Sequence, residues 1–236
     1  MIIDKTIVAL DQMSLDEIDH FLSRPENTIE FVKIGLELFV KYGPDLVHKI
    51  YRDYKKKIFL DLKLHDIPIT VERAIHSLKN LPINFLTIHL SGGEEMLRHA
   101  VKEARVSLPN SKILGVSFLT SLEEKDLNEL FNIKNSSEAF LRLFQMANLT
   151  EIDGVICSPH EIGLVKMHFP KLLVVTPGIR FSDEIRLNAT QDQKRVASPQ
   201  EAIKLGADYL VIGRSLTKAS DLSMRIKELS IPIGIF

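Results

Sequence analysis

The sequence has no tryptophan, one cysteine and only 11 glycines in 236 residues. A lone thiol, Cys157, cannot close an intrachain disulfide, which suits a reducing compartment and excludes the disulfide-stapled secreted scaffolds. Glycine at this level is below average usage, and it leaves no collagen period, no P-loop and no dinucleotide fingerprint. An excess of one charge is lacking too: 30 Lys+Arg face 31 Asp+Glu, for a formal charge of −1. No global basic field therefore points to nucleic acid or to an anionic membrane. No apolar run approaches the ~18 residues of a spanning helix. Residues 1–11 are interrupted by Asp4 and Lys5 and lack the ~7–15-residue apolar region of a signal peptide. The chain reads as cytoplasmic.

What is present is ordinary globular composition, 45% hydrophobic and 26% charged, in a length that suits one large domain. Short β-rich runs alternate with stretches of helical period. The strand candidates are 6–11, 30–35, 57–63, 85–91, 112–119, 154–158, 172–178 and 209–215. Helical patterns occupy 14–22, 44–54, 70–81, 94–108, 137–149, 161–169, 199–205 and 220–229. Ser14 with Glu17 forms a capping box, and Ser137 marks a second helix start. Eight strands alternating with helices predict a single-domain α/β fold, a (β/α)₈ TIM barrel, which typically takes about 250 residues. A doubly wound open sheet would use fewer strands and a glycine-rich first turn, which Asp11-Gln12-Met13 is not. The longest irregular stretch, 180–197, exceeds the ~12–15 residues of an ordinary loop and is read either as an active-site lid or as a floppy insertion.

In such a barrel the carboxyl ends of the strands build the active site. Those ends here carry Asp11, Lys33, Asp61 with Lys63, His89, Thr120, Arg180, and Gly213 with Arg214. Strand side chains alternate faces, so Asp61 and Lys63 share one, about 6.6 Å apart along the strand, with Leu60, Leu62 and Leu64 on the other. Inward charges that stay unpaired are costly, so this Asp and Lys should sit together with opposite charges nearby. Two turns suit a phosphate, Thr176-Pro177-Gly178-Ile179-Arg180 and Val211-Ile212-Gly213-Arg214-Ser215. Barrels often hold phosphate after strands seven and eight, where glycine lets the backbone approach and arginine offers a forked donor. Cys157, inside a strand, is read as a small core residue. No metal-ligand spacing is found: His160-Glu161 has Leu164 where a zinc-protease motif needs its second histidine.

Val8-Ala9-Leu10-Asp11, Val32-Lys33-Ile34-Gly35, Asp61-Leu62-Lys63-Leu64-His65-Asp66-Ile67-Pro68, Val175-Thr176-Pro177-Gly178-Ile179-Arg180 and Val211-Ile212-Gly213-Arg214 together resemble the orotidine 5′-phosphate decarboxylase family. The strand-three block is the most specific, and the resemblance spans essentially the whole chain. It implies a (β/α)₈ barrel acting on orotidine 5′-phosphate to give UMP and CO₂ in pyrimidine biosynthesis, with no cofactor and no metal. It further implies a homodimer with shared active sites, in which Asp66, Ile67 and Thr70 serve the partner subunit. By the same resemblance Lys33, Asp61, Lys63 and Asp66 form the catalytic charge array. Asp11 and Lys33 hold the ribose, Thr120 lies near the pyrimidine, Gln193 bridges base and phosphate from the lid, and Arg180, Gly213 and Arg214 grip the phosphate. The chain departs from the family at Phe181-Ser182, where proline is frequent, and at Ser215. A related group acting on sugar phosphates shares an Asp-x-Lys-x-x-Asp pattern but uses a metal; His65-Asp66-Ile67-Pro68 and Gln193 favour the orotidylate branch.

Overall fold

In the computed structural model, residues 1–119, 121–122, 124–186 and 196–232 are described. Eight parallel strands close a barrel in sequence order: β1 (Thr6–Ala9), β2 (Phe31–Gly35), β3 (Lys57–Leu64), β4 (Phe85–His89), β5 (Lys112–Val116), β6 (Gly154–Ile156), β7 (Leu173–Thr176) and β8 (Tyr209–Ile212). The outer layer comprises α1 (Leu15–Ser23), α2 (Leu36–Tyr54), α3 (Pro68–Ser77), α4 (Gly93–Ser107), α5 (Glu124–Phe131), α6 (Ser136–Leu149), α7 (Ile162–His168), α8 (Ser182–Arg186), α9 (Pro199–Leu205), α10 (Arg214–Thr217) and α11 (Leu222–Leu229). No helix among the described residues is long and apolar enough to cross a membrane.

The period-2 alternation of the strands separates two apolar masses. Ile34, Leu60, Leu86 and Ile212 face outward into the helical shell, while Ile7, Phe31, Phe59, Phe85, Leu114, Val175 and Val211 fill the barrel. The Phe85 ring lies 4.9 Å from that of Phe31, 5.9 Å from Phe59 and 5.2 Å from Tyr209, centroid to centroid. Two residues further along the same inward faces come Lys33, Asp61 and Thr87. The aromatic layer is therefore the floor on which a polar layer stands.

The opposite rim is closed by a repeated device. Asn84, Asp153 and Asp208 each stand one residue before an even-numbered strand, and each side chain accepts the backbone N–H of the preceding odd strand's second residue. Those bonds, from Ile58, Ile113 and Val174, measure 2.9, 2.7 and 2.8 Å. Arg105 and Lys166 neutralise the two carboxylates, at 2.9 Å from Asp153 and 2.6 Å from Asp208.

Each of the eight expected strands forms, but most end two or three residues sooner than the sequence pattern runs. The residues after them leave the ladder to build the barrel mouth. β3 does the reverse and continues to Leu64 through a register shift against β4 between Leu60 and Leu64. The Ser14–Glu17 capping box is present. The second expected helix start is corrected: Asn135, not Ser137, accepts the cap bond, from the Glu138 N–H, because the helix begins one residue earlier than its apolar period. α3 starts on Pro68 itself, whose missing N–H and fixed φ suit a first helical position. The stretch 180–197, read as irregular, contains α8 in its first part. Five residues are too short to show a helical period.

Candidate active site

Four side chains form an alternating line of charge at the barrel mouth. Lys33 Nζ donates to Asp11 Oδ2 at 2.7 Å and stands 3.2 Å from Asp61 Oδ2, while Lys63 Nζ donates to that same Asp61 oxygen at 2.7 Å. Lys33 and Asp61 are buried, whereas both ends of the line are accessible, the Lys63 side chain keeping 37% of its surface and that of Asp11 41%. Burial alone would push the Asp61 carboxyl up, but the Lys33 and Lys63 ammoniums, with hydrogen bonds from Lys63 and Thr87, hold it below the usual carboxylate range. Burial likewise pulls Lys33 down and is outweighed by Asp61 and Asp11, which raise it. Both groups are thus charged in a site where an unpaired charge would be expelled.

The local backbone explains why Lys63 reaches the line. Lys63 has φ +50°, a left-handed conformation that costs a non-glycine residue about 1–2 kcal/mol. Its N–H donates to Thr87 Oγ1 at 2.9 Å, and the Thr87 hydroxyl donates to Asp61 Oδ1, also at 2.9 Å. One buried hydroxyl on β4 therefore fixes the kinked backbone of the lysine and the second oxygen of its carboxylate partner. Gly35, at the end of β2, leaves the space the line needs: a Cβ there would lie 2.1 Å from Asp11 Oδ1 and 3.1 Å from Lys33 Nζ.

A cavity of about 290 Å³ opens beside this array, lined by Phe59, Val116, Phe118, Ile156 and Val211 among others. Arg180, Gly213 and Arg214 line it at the ends of β7 and β8. The backbone is pinned there: Arg180 N–H bonds to Ala197 O at 3.1 Å, and Ala197 N–H bonds to Gly178 O at 3.2 Å, so both ends of the stretch 180–197 are tied together. The φ of +81° at Gly178 is one that glycine accepts at low cost. The cavity thus offers an ammonium beside carboxylates on one side, apolar walls between, and guanidinium groups with a glycine backbone across the mouth.

Asp66, Ile67 and Thr70 lie past β3, are exposed and do not line the cavity. Asp66 Oδ1 accepts the neighbouring Ile67 N–H at 2.7 Å, and among the described residues no hydrogen bond or ion pair joins it to Lys63 of its own chain. Thr120 and Gln193 lie outside the described residues, as does half of the stretch read as a lid, residues 187–195. The His89 ring lies against that of His65, tilted by 33° with ring centroids 5.1 Å apart. Burial, then the neighbouring His65 and Lys63, lower the His89 pKa to about 4, so this imidazole is neutral at pH 7. Cys157 is buried, which pushes its thiol well above the ordinary range, as suits a core residue.

Two contributors escape the strand-end reading. Thr87 sits inside β4, but its inward position between Phe85 and His89 was available from the period-2 pattern. Phe118 lies just past β5 and is propped by Phe140 and Phe131, at 5.2 and 5.9 Å. No group of three or more His, Cys, Asp or Glu side chains suited to a metal ion occurs among the described residues.

Comparison with known proteins places the chain among relatives of one family. Residues 4–229 match the profile described as "Orotidine 5'-phosphate decarboxylase / HUMPS family". The chain is 41% identical over 224 residues to orotidine 5′-phosphate decarboxylase of Geobacillus sp. (strain WCH70), covering 92% of each sequence. It is 42% identical over 217 residues to the Opitutus terrae enzyme of that name, covering 91% of this chain and 92% of the relative. The crystal structure of orotidine 5′-phosphate decarboxylase from Lactobacillus acidophilus superposes with a TM-score of 0.77 at 34% identity, over 96% of this chain and 97% of that one. An uncharacterized conserved protein from Geobacillus kaustophilus superposes with a TM-score of 0.79 at 32% identity, over 95% and 99%.

Proposed function

Because this chain belongs to the orotidine 5′-phosphate decarboxylase / HUMPS family, we propose that it converts orotidine 5′-phosphate to UMP and CO₂ in pyrimidine biosynthesis. The observation that carries this reading is the Asp11–Lys33–Asp61–Lys63 line beside a cavity whose far side presents Arg180, Gly213 and Arg214. The family description also covers HUMPS, but the curated relatives at about 40% identity are named as the decarboxylase.

Breaking the bond between C6 and the carboxylate leaves an electron pair in the ring plane, where the pyrimidine delocalises it poorly. A fixed ammonium at C6 stabilises the charge as it develops, and such preorganised electrostatics is usually the largest catalytic contribution. Lys63 fills this role: it is the more accessible of the two ammoniums in the array, and after CO₂ departs it passes a proton to C6 and regains one from water. Asp61 keeps Lys63 charged and aimed. Lys33, locked between Asp11 and Asp61, holds the line in register and with Asp11 receives the ribose hydroxyls. The two carboxylates are already neutralised by lysines, so the step as written uses no metal.

Arg180 and Arg214 take the 5′-phosphate with the Gly213 backbone. Binding energy from this remote group would order the site around the reacting carbon, with Gln193 of the 180–197 lid bridging base and phosphate and Thr120 contributing near the pyrimidine. Asp66, Ile67 and Thr70 complete the site of a second subunit in a homodimer. Their exposure supports this assignment, as do the exposed apolar side chains Leu36, Val40, Ile67 and Ile69 near the ends of β2 and β3. The enzyme works in the cytoplasm.

The test is to add orotidine 5′-phosphate to the purified protein with a chelator present and follow the loss of the substrate's ultraviolet absorbance. Turnover is expected with the chelator in place. Strict dependence on Mg²⁺ would move the chain to the metal-using sugar-phosphate branch.

A further inference from the structure

Arg225 on α11 is a buried guanidinium outside the cavity, yet it is bound to the segment that follows Arg180. Its NH1 and NH2 donate to the two oxygens of Asp183, each at 2.8 Å, and NH1 stands 3.3 Å from Glu228 Oε1. Its guanidinium carbon lies 4.2 Å from the centre of the Phe181 ring, a side chain that is itself buried. Phe181 is the residue after Arg180, and its N–H donates to Glu184 Oε2 at 3.0 Å while its carbonyl accepts the Ile185 N–H at 3.1 Å. Phe181 is thus held by its ring beneath Arg225 and by its backbone at the start of α8. Arg180 stands between this anchor and the 3.1 Å bond from its own N–H to Ala197 O.

We propose that Arg225 is a positioning residue for the phosphate grip: through Phe181 and Asp183 it fixes the backbone from which the Arg180 guanidinium enters the cavity. The inference rests on Arg180 binding a phosphate ester, as proposed above. A forked pair of hydrogen bonds to Asp183 and a stack on Phe181 constrain direction as well as distance, which a lysine at the same place could not reproduce.

A double-mutant cycle separates this role from a merely structural one. Decarboxylation kinetics and the UMP dissociation constant are measured for the parent, Arg225→Gln, Arg180→Ala and the double variant. Asp183→Asn opens the clamp from its exposed side and guards against misfolding of Arg225→Gln. We expect Arg225→Gln to weaken UMP binding and raise KM about tenfold with a smaller change in kcat, and Asp183→Asn to move both in the same direction by a few fold. In the Arg180→Ala background Arg225→Gln should change neither by more than about twofold. Parental values in both clamp variants would overturn the proposal, as would a full penalty that persists without Arg180. Parent protein that binds UMP but does not decarboxylate orotidine 5′-phosphate would overturn the catalytic reading instead, and the clamp would then be judged on the UMP cycle alone.

Discussion

The Lys63 ammonium stands 2.7 Å from Asp61 Oδ2, the same oxygen that Lys33 approaches to 3.2 Å. One carboxylate oxygen thus holds two cations, both lining the cavity, one buried and the other more accessible. Replacing Asp61 by Asn keeps the shape and removes the charge. The expected result is a loss on the order of 10³-fold in kcat/KM, the scale of removing one preorganised electrostatic partner. Steady-state kinetics of Asp61→Asn checks this, and activity within about threefold of the parent would contradict it.

Thr87 connects the Lys63 backbone to the Asp61 carboxylate through one hydroxyl. Thr87→Val leaves a buried acceptor and a buried donor unmet, at a cost of about 1–3 kcal/mol in unfolding free energy. The released Lys63 backbone should lower kcat by about tenfold, since each 1.4 kcal/mol of lost alignment is one such factor. Thr87→Ser retains the hydroxyl and should restore most of both. Urea unfolding and kcat measured on the pair distinguish the hydroxyl from the methyl group.

Gly35→Ala places a Cβ 2.1 Å from Asp11 Oδ1, so the Asp11 carboxylate must swing away from Lys33. Asp11 is a short side chain near the cavity, and moving it is cheaper than moving backbone. The variant should therefore fold with a small loss of stability but show a raised KM, because Asp11 and Lys33 are proposed to hold the ribose. A spectroscopic titration with UMP reads the same loss without turnover.

The His89 pKa is lowered from 6.5 to about 4, through burial first and then the neighbouring His65 and Lys63. Between those two values the unfolded chain binds a proton that the folded chain refuses, so stability rises with pH across this window. The His89 contribution is complete above about 6.5 and is lost as the pH falls toward about 4. Chemical unfolding followed from pH 7 to 4.5 should show the decline, and His89→Gln should make it shallower. An unchanged slope in the variant would show that His89 does not drive it.

Asp208 lies at the opposite rim, where it accepts the Val174 N–H at 2.8 Å and pairs with Lys166 at 2.6 Å. Asp208→Ala should lower the unfolding free energy by about 1–3 kcal/mol, the cost of a backbone donor left unmet. It should leave kcat unchanged, since this face of a barrel supports stability and not chemistry. Thermal unfolding paired with kinetics at a temperature well below the transition tests both halves.

The sequence makes the barrel readable because its eight apolar runs are short, β-branched and evenly separated, a pattern few other architectures accommodate. The array was readable for a related reason: Lys33, Asp61 and Lys63 are charges placed on inward strand positions where only apolar residues would be expected. What the pattern hid is what geometry decides. Thr87 is common in strands, so its type alone gives no hint of the two bonds it makes. Gly35 matters only because Asp11 and Lys33 come together beside it. Arg225 sits in a helix whose period looks amphipathic, and its link to Phe181 and Asp183, 42 residues away from the latter, exists only in the folded chain. The left-handed φ of Lys63 could not be read from a strand whose alternation continues unbroken through it.

The most direct measurement is the single-turnover decarboxylation of orotidine 5′-phosphate by Lys63→Ala beside the parent protein, with binding of UMP measured on both. If the Lys63 ammonium stabilises and protonates C6, the variant binds UMP within about tenfold of the parent while its chemical step slows by more than about 10⁴-fold, consistent with loss of both charge and proton donor. A Lys63→Ala protein that still releases CO₂ at the parental rate would contradict the central claim.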